Sequence, residues 1–278
     1  FPINGTRRWF MLEHPEPAEE DYDVEYRDAS ASRHLELYRL FFEHGIDTLL
    51  TPIFGPDLLE RGEAYEKMVM EGLALLATGP AFVEFYRAYQ VRVRFYGDYR
   101  KCFDSGPYAY LSDQFDEATA RTMAHDRHRL FFGVCAHDAT EAIAELSVRY
   151  FAAHGRVPDK ASLVEMYYGE PVEPVDLFIG FDKLCVFDMP LVATGDEDLY
   201  FTVSPSPYLS AHQLRGILYD HIYARPGGES DYSALGPDEQ RWMRAFYRQN
   251  RDSTLGVGTK RGGVWYPQPQ VKVPPDCS

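Results

Sequence analysis

Apolar positions along this 278-residue chain fall into two alternating rhythms. Short runs of β-branched and aromatic residues, alternating or continuous, read as strands at 1–3, 48–53, 91–96, 130–134, 175–179 and 199–203. Between them lie stretches with helical spacing. The first runs over 30–44 with Leu37, Leu40, Phe41 and His44 on one face and Gly45 as its stop. A second opens at Pro56 and passes through Tyr65, Met68, Val69, Gly72 and Leu76. Gly79-Pro80 interrupts it before a further helical turn leads into Val91. A third covers 138–154, carrying Ile143, Leu146, Val148 and Phe151, and Gly155 stops it. Shorter helices are predicted after Pro158-Asp159, from the cap at Ser210 to His221, and after Gly236-Pro237 around Trp242, Phe246 and Tyr247.

Strands alternating with helices predict an α/β fold with a single mostly parallel sheet flanked by helices. No internal repeat occurs, and one domain over 1–250 is expected, followed by a Gly- and Pro-rich arm over 251–278. Residues 225–230 read as a loop. No apolar run approaches the length of a membrane span.

Composition narrows the function classes. The formal net charge is −15, from 28 basic and 43 acidic residues. That disfavours nucleic acid or an anionic membrane surface as the main partner, since both demand a positive field. Any anionic ligand must then be met by a local basic cluster. The four cysteines, Cys102, Cys135, Cys185 and Cys277, show neither pairing nor metal spacing and fit thiols in a reducing cytoplasm. His125 and His128 offer no clear metal site. Hydrolase elbow, P-loop and dinucleotide signatures are absent.

The stretch most able to carry chemistry is Asn4-Gly5-Thr6-Arg7-Arg8-Trp9. Gly5 lets backbone approach a ligand closely, and the amides that follow can face an anion from a helix N-terminus. Arg7 and Arg8 supply planar forks suited to phosphate oxygens. Ligands of open α/β sheets gather at the carboxyl ends of strands, where Asn4 to Arg8, Phe54, Asp98 and Phe181-Asp182 are all expected. Phenylalanine, tyrosine and tryptophan make up 15% of the chain, a surplus whose faces suit a carbocation.

This stretch resembles the first signature of the cis-prenyltransferase (undecaprenyl diphosphate synthase) superfamily. The likeness is stronger to one branch, the diterpene synthases of the tuberculosinol synthase (tuberculosinyl adenosine transferase) type. It runs through Phe42-Glu43-His44-Gly45-Ile46, Pro52-Ile53-Phe54, Asp57-Leu58-Leu59 with Arg61-Gly62, and Phe95-Tyr96-Gly97-Asp98-Tyr99. It continues through Tyr167-Tyr168-Gly169-Glu170, Phe178-Ile179-Gly180-Phe181, Leu199 to Val203 and Ile217 to Tyr223. The resemblance implies a cis-prenyltransferase-like fold that binds a bicyclic diterpenyl diphosphate, tuberculosinyl- or kolavenyl-type. It would ionise the allylic C–O bond and pass the cation to water or adenosine. Gly5, Thr6, Arg7 and Arg8 would hold the diphosphate, with Tyr65 as a further substrate contact; Phe54 and Asp98 are expected as substrate contacts from their strand-end positions. Tyr26 and Tyr65 would shape the cation pocket, and a cytoplasmic homodimer is expected.

Three positions depart from the superfamily pattern. Position 4, aspartate in the family, is asparagine here, neutral and a weaker acceptor. A deliberate substitution that traps substrate, a natural enzyme that works differently, and an inactive protein all fit that change. Residues 180–188 lack most donors with which elongating enzymes hold isopentenyl diphosphate, so chain elongation is not expected. Asp198 stands where those enzymes carry a metal-binding glutamate, making Asn4 and Asp198 the candidate Mg²⁺ positions. A non-catalytic accessory subunit is the rival reading.

Overall fold

The structure, a computed structural model, describes residues 1–14, 22–55, 62–225, 232–268 and 271–273. Pro56, Asp57-Leu58-Leu59, Arg61, most of the expected loop at 225–230 and Cys277 lie outside the described residues. The chain folds as two compact units, 1–215 and 216–278, with the boundary inside a helix.

The first unit runs α1 (Thr6–Glu13), α2 (Tyr22–Glu43), β1 (Thr48–Phe54), α3 (Glu63–Thr78), α4 (Pro80–Ala88), β2 (Val91–Tyr96), α5 (Tyr99–Phe103), α6 (Tyr110–Thr122), β3 (His128–Val134), α7 (Thr140–His154), α8 (Lys160–Tyr168), β4 (Leu177–Phe181), β5 (Asp198–Thr202) and the start of α9 (Ala211–Tyr219). The second holds α10 (Pro237–Asn250) and an antiparallel hairpin, β6 (Gly258–Arg261) with β7 (Val264–Pro267). Part of the Gly- and Pro-rich segment after Asn250 is therefore paired strand.

All strands of the first unit pair in parallel, as the βα alternation requires. They do so in two sets, β1-β3-β2 and β4-β5, where the sequence predicts one sheet. The segment 1–3, expected as a strand, forms no ladder. The Phe1 amino group donates to Leu50 O at 2.7 Å, Ser206 Oγ donates to Pro2 O, and Ser206 N donates to Asn4 O at 3.0 Å. Pro2 has no N–H to offer a neighbouring strand, so the segment is tied at single points on β1 and on the turn after β5.

The β2 run Val91-Arg92-Val93-Arg94-Phe95 alternates buried and half-buried side chains, as a one-sided strand should. Its buried face and that of β3 build the centre of the unit, where Phe95 stacks on Phe115 at 4.0 Å and Phe132 is fully buried. Another cluster joins Leu50, Phe131, Tyr168, Phe178 and Met189. A third packs Phe10 of α1, Tyr26 of α2 and Met68 of α3, with Trp9, Tyr22, Tyr65 and Val69 at its edge.

The stretch Tyr65–Ala88 is, among the described residues, the one helical run apolar and long enough to cross a membrane. Its apolar residues are interrupted in the sequence by charged and small ones, so no continuous apolar run of that length is visible there. Pro80 divides it into α3 and α4, because Pro80 has no N–H for the preceding turn. Its apolar side chains serve the core and the wall of a cavity.

Candidate active site

Gly5 sets the site. Its φ of 77° is left-handed, and a Cβ there would lie 2.7 Å from the Phe181 ring. Only glycine turns the chain this sharply at no steric cost. The first intrahelical bond of α1 then runs from Trp9 N to Gly5 O at 2.9 Å. The amides of Thr6, Arg7 and Arg8 precede it, so they remain available to an anion, favoured by the helix dipole.

Ser206 fixes the entry to this turn. Its hydroxyl, fully buried after β5, accepts from Asn4 N at 3.1 Å. The positions of residues 4–8 are thus tied to the carboxyl end of β5.

The segment opens on a cavity of about 550 Å³, a volume typical of small-molecule sites. Asn4, Gly5, Thr6, Arg7, Arg8, Tyr26 and Tyr65 all line it. Thr6 Oγ1 and Tyr26 Oη share a hydrogen bond of 2.7 Å. Burial raises the Tyr26 phenol pKa, with the Thr6 contact acting in the opposite sense. Tyr26 therefore stays a neutral phenol at physiological pH. The Arg7 guanidinium carbon lies 5.3 Å from the Tyr65 ring centroid, so one face of that ring already carries a cation. Arg8 sits 4.9 Å from the Phe181 centroid and forms an ion pair with Asp182. Asp182 adopts a left-handed φ of 71° at the end of β4, which is uncommon for a side chain other than glycine. Arg27 also borders the cavity, with Glu71 and Asp28 as its partners at 2.9 Å each.

Beyond this polar mouth the lining turns apolar, with Ile53, Leu73, Leu76 and Phe82. A charged head and an oily body match such a pocket. Among the lining residues to which the sequence assigned no site role are Ser30 and His34 of α2. Their signal was the spacing Tyr26, Ser30, His34, a polar stripe at intervals of four on one helix face.

Three expected site residues lie elsewhere. Phe54 is buried in the core, 6.0 Å between ring centroids from Phe103. Asp98 occupies the N-cap position of α5 and its N–H donates to Cys135 O at 3.0 Å; burial raises its carboxyl pKa. Neither lines the cavity. Asp198 opens β5, whereas the Ser206 clamp follows its far end. Four strand steps put the start of β5 about 13 Å from that end.

The candidate Mg²⁺ positions are consequently not brought together. Asn4 borders the cavity but is neutral, and Asp198 is outside the lining. Among the described residues no three His, Cys, Asp or Glu side chains group as a metal site. The donors present do not fit a protein-held Mg²⁺ ion. Positive charge at the mouth comes from arginine.

No protein-family model matches the chain. Among curated proteins, tuberculosinyl adenosine transferase of Mycobacterium tuberculosis (strain CDC 1551 / Oshkosh) is 42% identical over 96% of this chain and 89% of its own length. The (+)-kolavelool synthase of Herpetosiphon aurantiacus is 28% identical over 96% of this chain and 88% of its own. Among solved structures, lavandulyl diphosphate synthase from Lavandula x intermedia, in complex with dimethylallyl diphosphate, aligns with TM-score 0.62 at 18% identity, covering 81% of this chain and 94% of that one. A probable undecaprenyl diphosphate synthase from Campylobacter jejuni aligns with TM-score 0.57 at 16% identity, covering 73% and 92%. The expected cis-prenyltransferase-like fold is thus the fold found.

Proposed function

The chain belongs to the family of tuberculosinyl adenosine transferase, and from that premise we propose that it is a diterpene synthase or transferase. It takes a bicyclic diterpenyl diphosphate, tuberculosinyl- or kolavenyl-type, breaks the allylic C–O bond, and gives the cation to water or adenosine. The observation that supports this most directly is the placement of Arg7, Arg8 and the α1 amides at the mouth of an apolar cavity.

Ionisation needs the leaving diphosphate's growing charge met by fixed donors. Arg7 and Arg8 offer paired N–H groups, and the amides of residues 6–8 add a positive helix end. Tyr26, neutral and tied to Thr6, stands as a hydroxyl donor beside them. The apolar wall keeps bulk water from the cation, while aromatic faces favour its charge. Asn4 has the shape of the family's aspartate without its charge, which fits a site that binds substrate and turns it over slowly.

Residues 180–188 argue for capture rather than elongation. Asp182 there pairs with Arg8, and its carboxylate would repel a second diphosphate. We further place the protein in the cytoplasm as a homodimer: Cys102, Cys135 and Cys185 are free thiols, and Val148, Phe151 and Val157 are exposed apolar side chains.

Diphosphate release from a tuberculosinyl-type diphosphate, with products resolved by mass spectrometry with and without adenosine, tests the reading. The chain should release diphosphate slowly, and Asn4→Asp should accelerate it by about 100-fold or more. On that background Arg7→Ala or Arg8→Ala should cost at least ~100-fold, the scale of losing one donor to developing charge. Absence of release from both the chain and its Asn4→Asp variant would leave the accessory-subunit reading standing instead.

A further inference from the structure

His34 lines the cavity one α2 turn beyond Ser30 and two beyond Tyr26. Its Nδ1 lies 2.6 Å from Ser30 O. A carbonyl oxygen can only accept, so Nδ1 carries the proton and Nε2 holds a lone pair when the ring is neutral. Nε2 makes no hydrogen bond among the described residues, and it is the ring heteroatom left to meet a ligand. Burial lowers the His34 pKa, against the opposing effect of the Ser30 bond, so the neutral form prevails at physiological pH.

Ser30 adds a second polar atom to the same wall. Its hydroxyl is closed off from solvent and acts on Tyr26, where it favours the phenolate. With Nδ1 engaged by a carbonyl, His34 Nε2 is the atom of this wall left for a ligand's polar group. Met68, Val69, Leu73 and Leu76 of α3 supply apolar lining to the same cavity.

The level along the helix also fits. The His34 ring folds back to the Ser30 carbonyl, about one turn, 5.4 Å, beyond the level of Tyr26, which touches Thr6 at the diphosphate end. A group held there meets the carbon skeleton just past the leaving group.

We propose that His34 Nε2 is the general base of the capture step, accepting a proton from a water at this wall of the cavity. This rests on the diterpenyl diphosphate reading above and narrows its acceptor to water. The allylic C–O bond breaks and its electron pair leaves on the diphosphate. A lone pair of the water oxygen forms the new C–O bond, and one water proton passes to Nε2. The imidazolium returns that proton to the released diphosphate or to solvent, so the net products are the diterpene alcohol and diphosphate. The imidazole touches the nucleophile and is therefore a catalytic residue.

The test uses His34→Phe and His34→Gln on the Asn4→Asp background with a tuberculosinyl-type diphosphate. Alcohol formation should fall by about 100-fold, the scale of a general base. Diphosphate release should fall far less, the difference appearing as dienes formed by proton loss from carbon. Thermal midpoints should match the parent, which separates lost chemistry from lost fold. An unchanged alcohol-to-diene ratio in both variants would overturn the proposal while leaving the function intact. A parent that releases no diphosphate would overturn the function and the proposal together. A substrate-free check reads the ring itself: ¹⁵N spectra of His34 must show the Nδ1–H tautomer, and an Nε2–H tautomer sinks the assignment without any turnover.

Discussion

At the scale of single residues, one of the two arginines proposed to hold the diphosphate already has a partner within the protein. Asp182 holds Arg8 through an ion pair that is partly open to solvent. A diphosphate must compete with that carboxylate for one guanidinium. Pairs of this exposure are worth up to ~1 kcal/mol, which corresponds to about fivefold in affinity. Asp182→Asn should accordingly tighten inorganic diphosphate binding by about fivefold in calorimetric titration; weaker binding would show that Asp182 orients Arg8 rather than competing for it. The place of Arg7 and Arg8 on the cavity lining was legible from sequence because a glycine and paired arginines behind an apolar run form a recognisable local pattern. His34 was not, because the α2 reading followed the core face through Leu37 and Phe41 and left the polar face unassigned. Phe54 and Asp98 misled for a different reason. Both stand at strand ends, yet one side chain turns into the core and the other sits at the start of a short helix.

At the scale of elements, the site depends on a turn remote in sequence. Ser206 Oγ accepts from Asn4 N and donates to Pro2 O, tying residues 2–4 to the chain after β5. Ser206→Ala should leave a buried N–H unsatisfied and cost about 1–3 kcal/mol in denaturant unfolding, with activity falling because residues 4–8 lose their anchor. Unchanged stability would mean that another group supports Asn4. No local pattern announces a bond spanning 202 positions, so the clamp was invisible to sequence reading. Strands β1 to β5 were legible to within a few residues, since their apolar runs are short and bounded. Helix α2 begins at Tyr22, eight residues before its expected start, because its first two turns intersperse Tyr22 and Tyr26 with Asp23, Glu25, Arg27 and Asp28 and carry no aliphatic stripe. Helices α5 and α6 were not foreseen at all. Their residues flank Gly106-Pro107, and that break hides the helical spacing on either side.

At the scale of the whole molecule, the arginines that rim the cavity belong to a chain with net charge −15. A diphosphate ester approaching from solution meets repulsion from the distant carboxylates before it feels Arg7 and Arg8. The two influences differ in reach. Screening shortens from about 30 Å at 0.01 M salt to about 10 Å at 0.1 M, which removes the far field while contact pairs persist. Substrate encounter should therefore quicken as salt is added, the reverse of the decline shown by enzymes that draw anions in over long distances. Measured kcat/KM for the Asn4→Asp variant should rise about two- to fivefold across that range, and a steep fall would show that the basic rim governs the approach. Capture of substrate here is an event of the last few ångströms, won by shape and donors after diffusion has delivered an anion against the prevailing field.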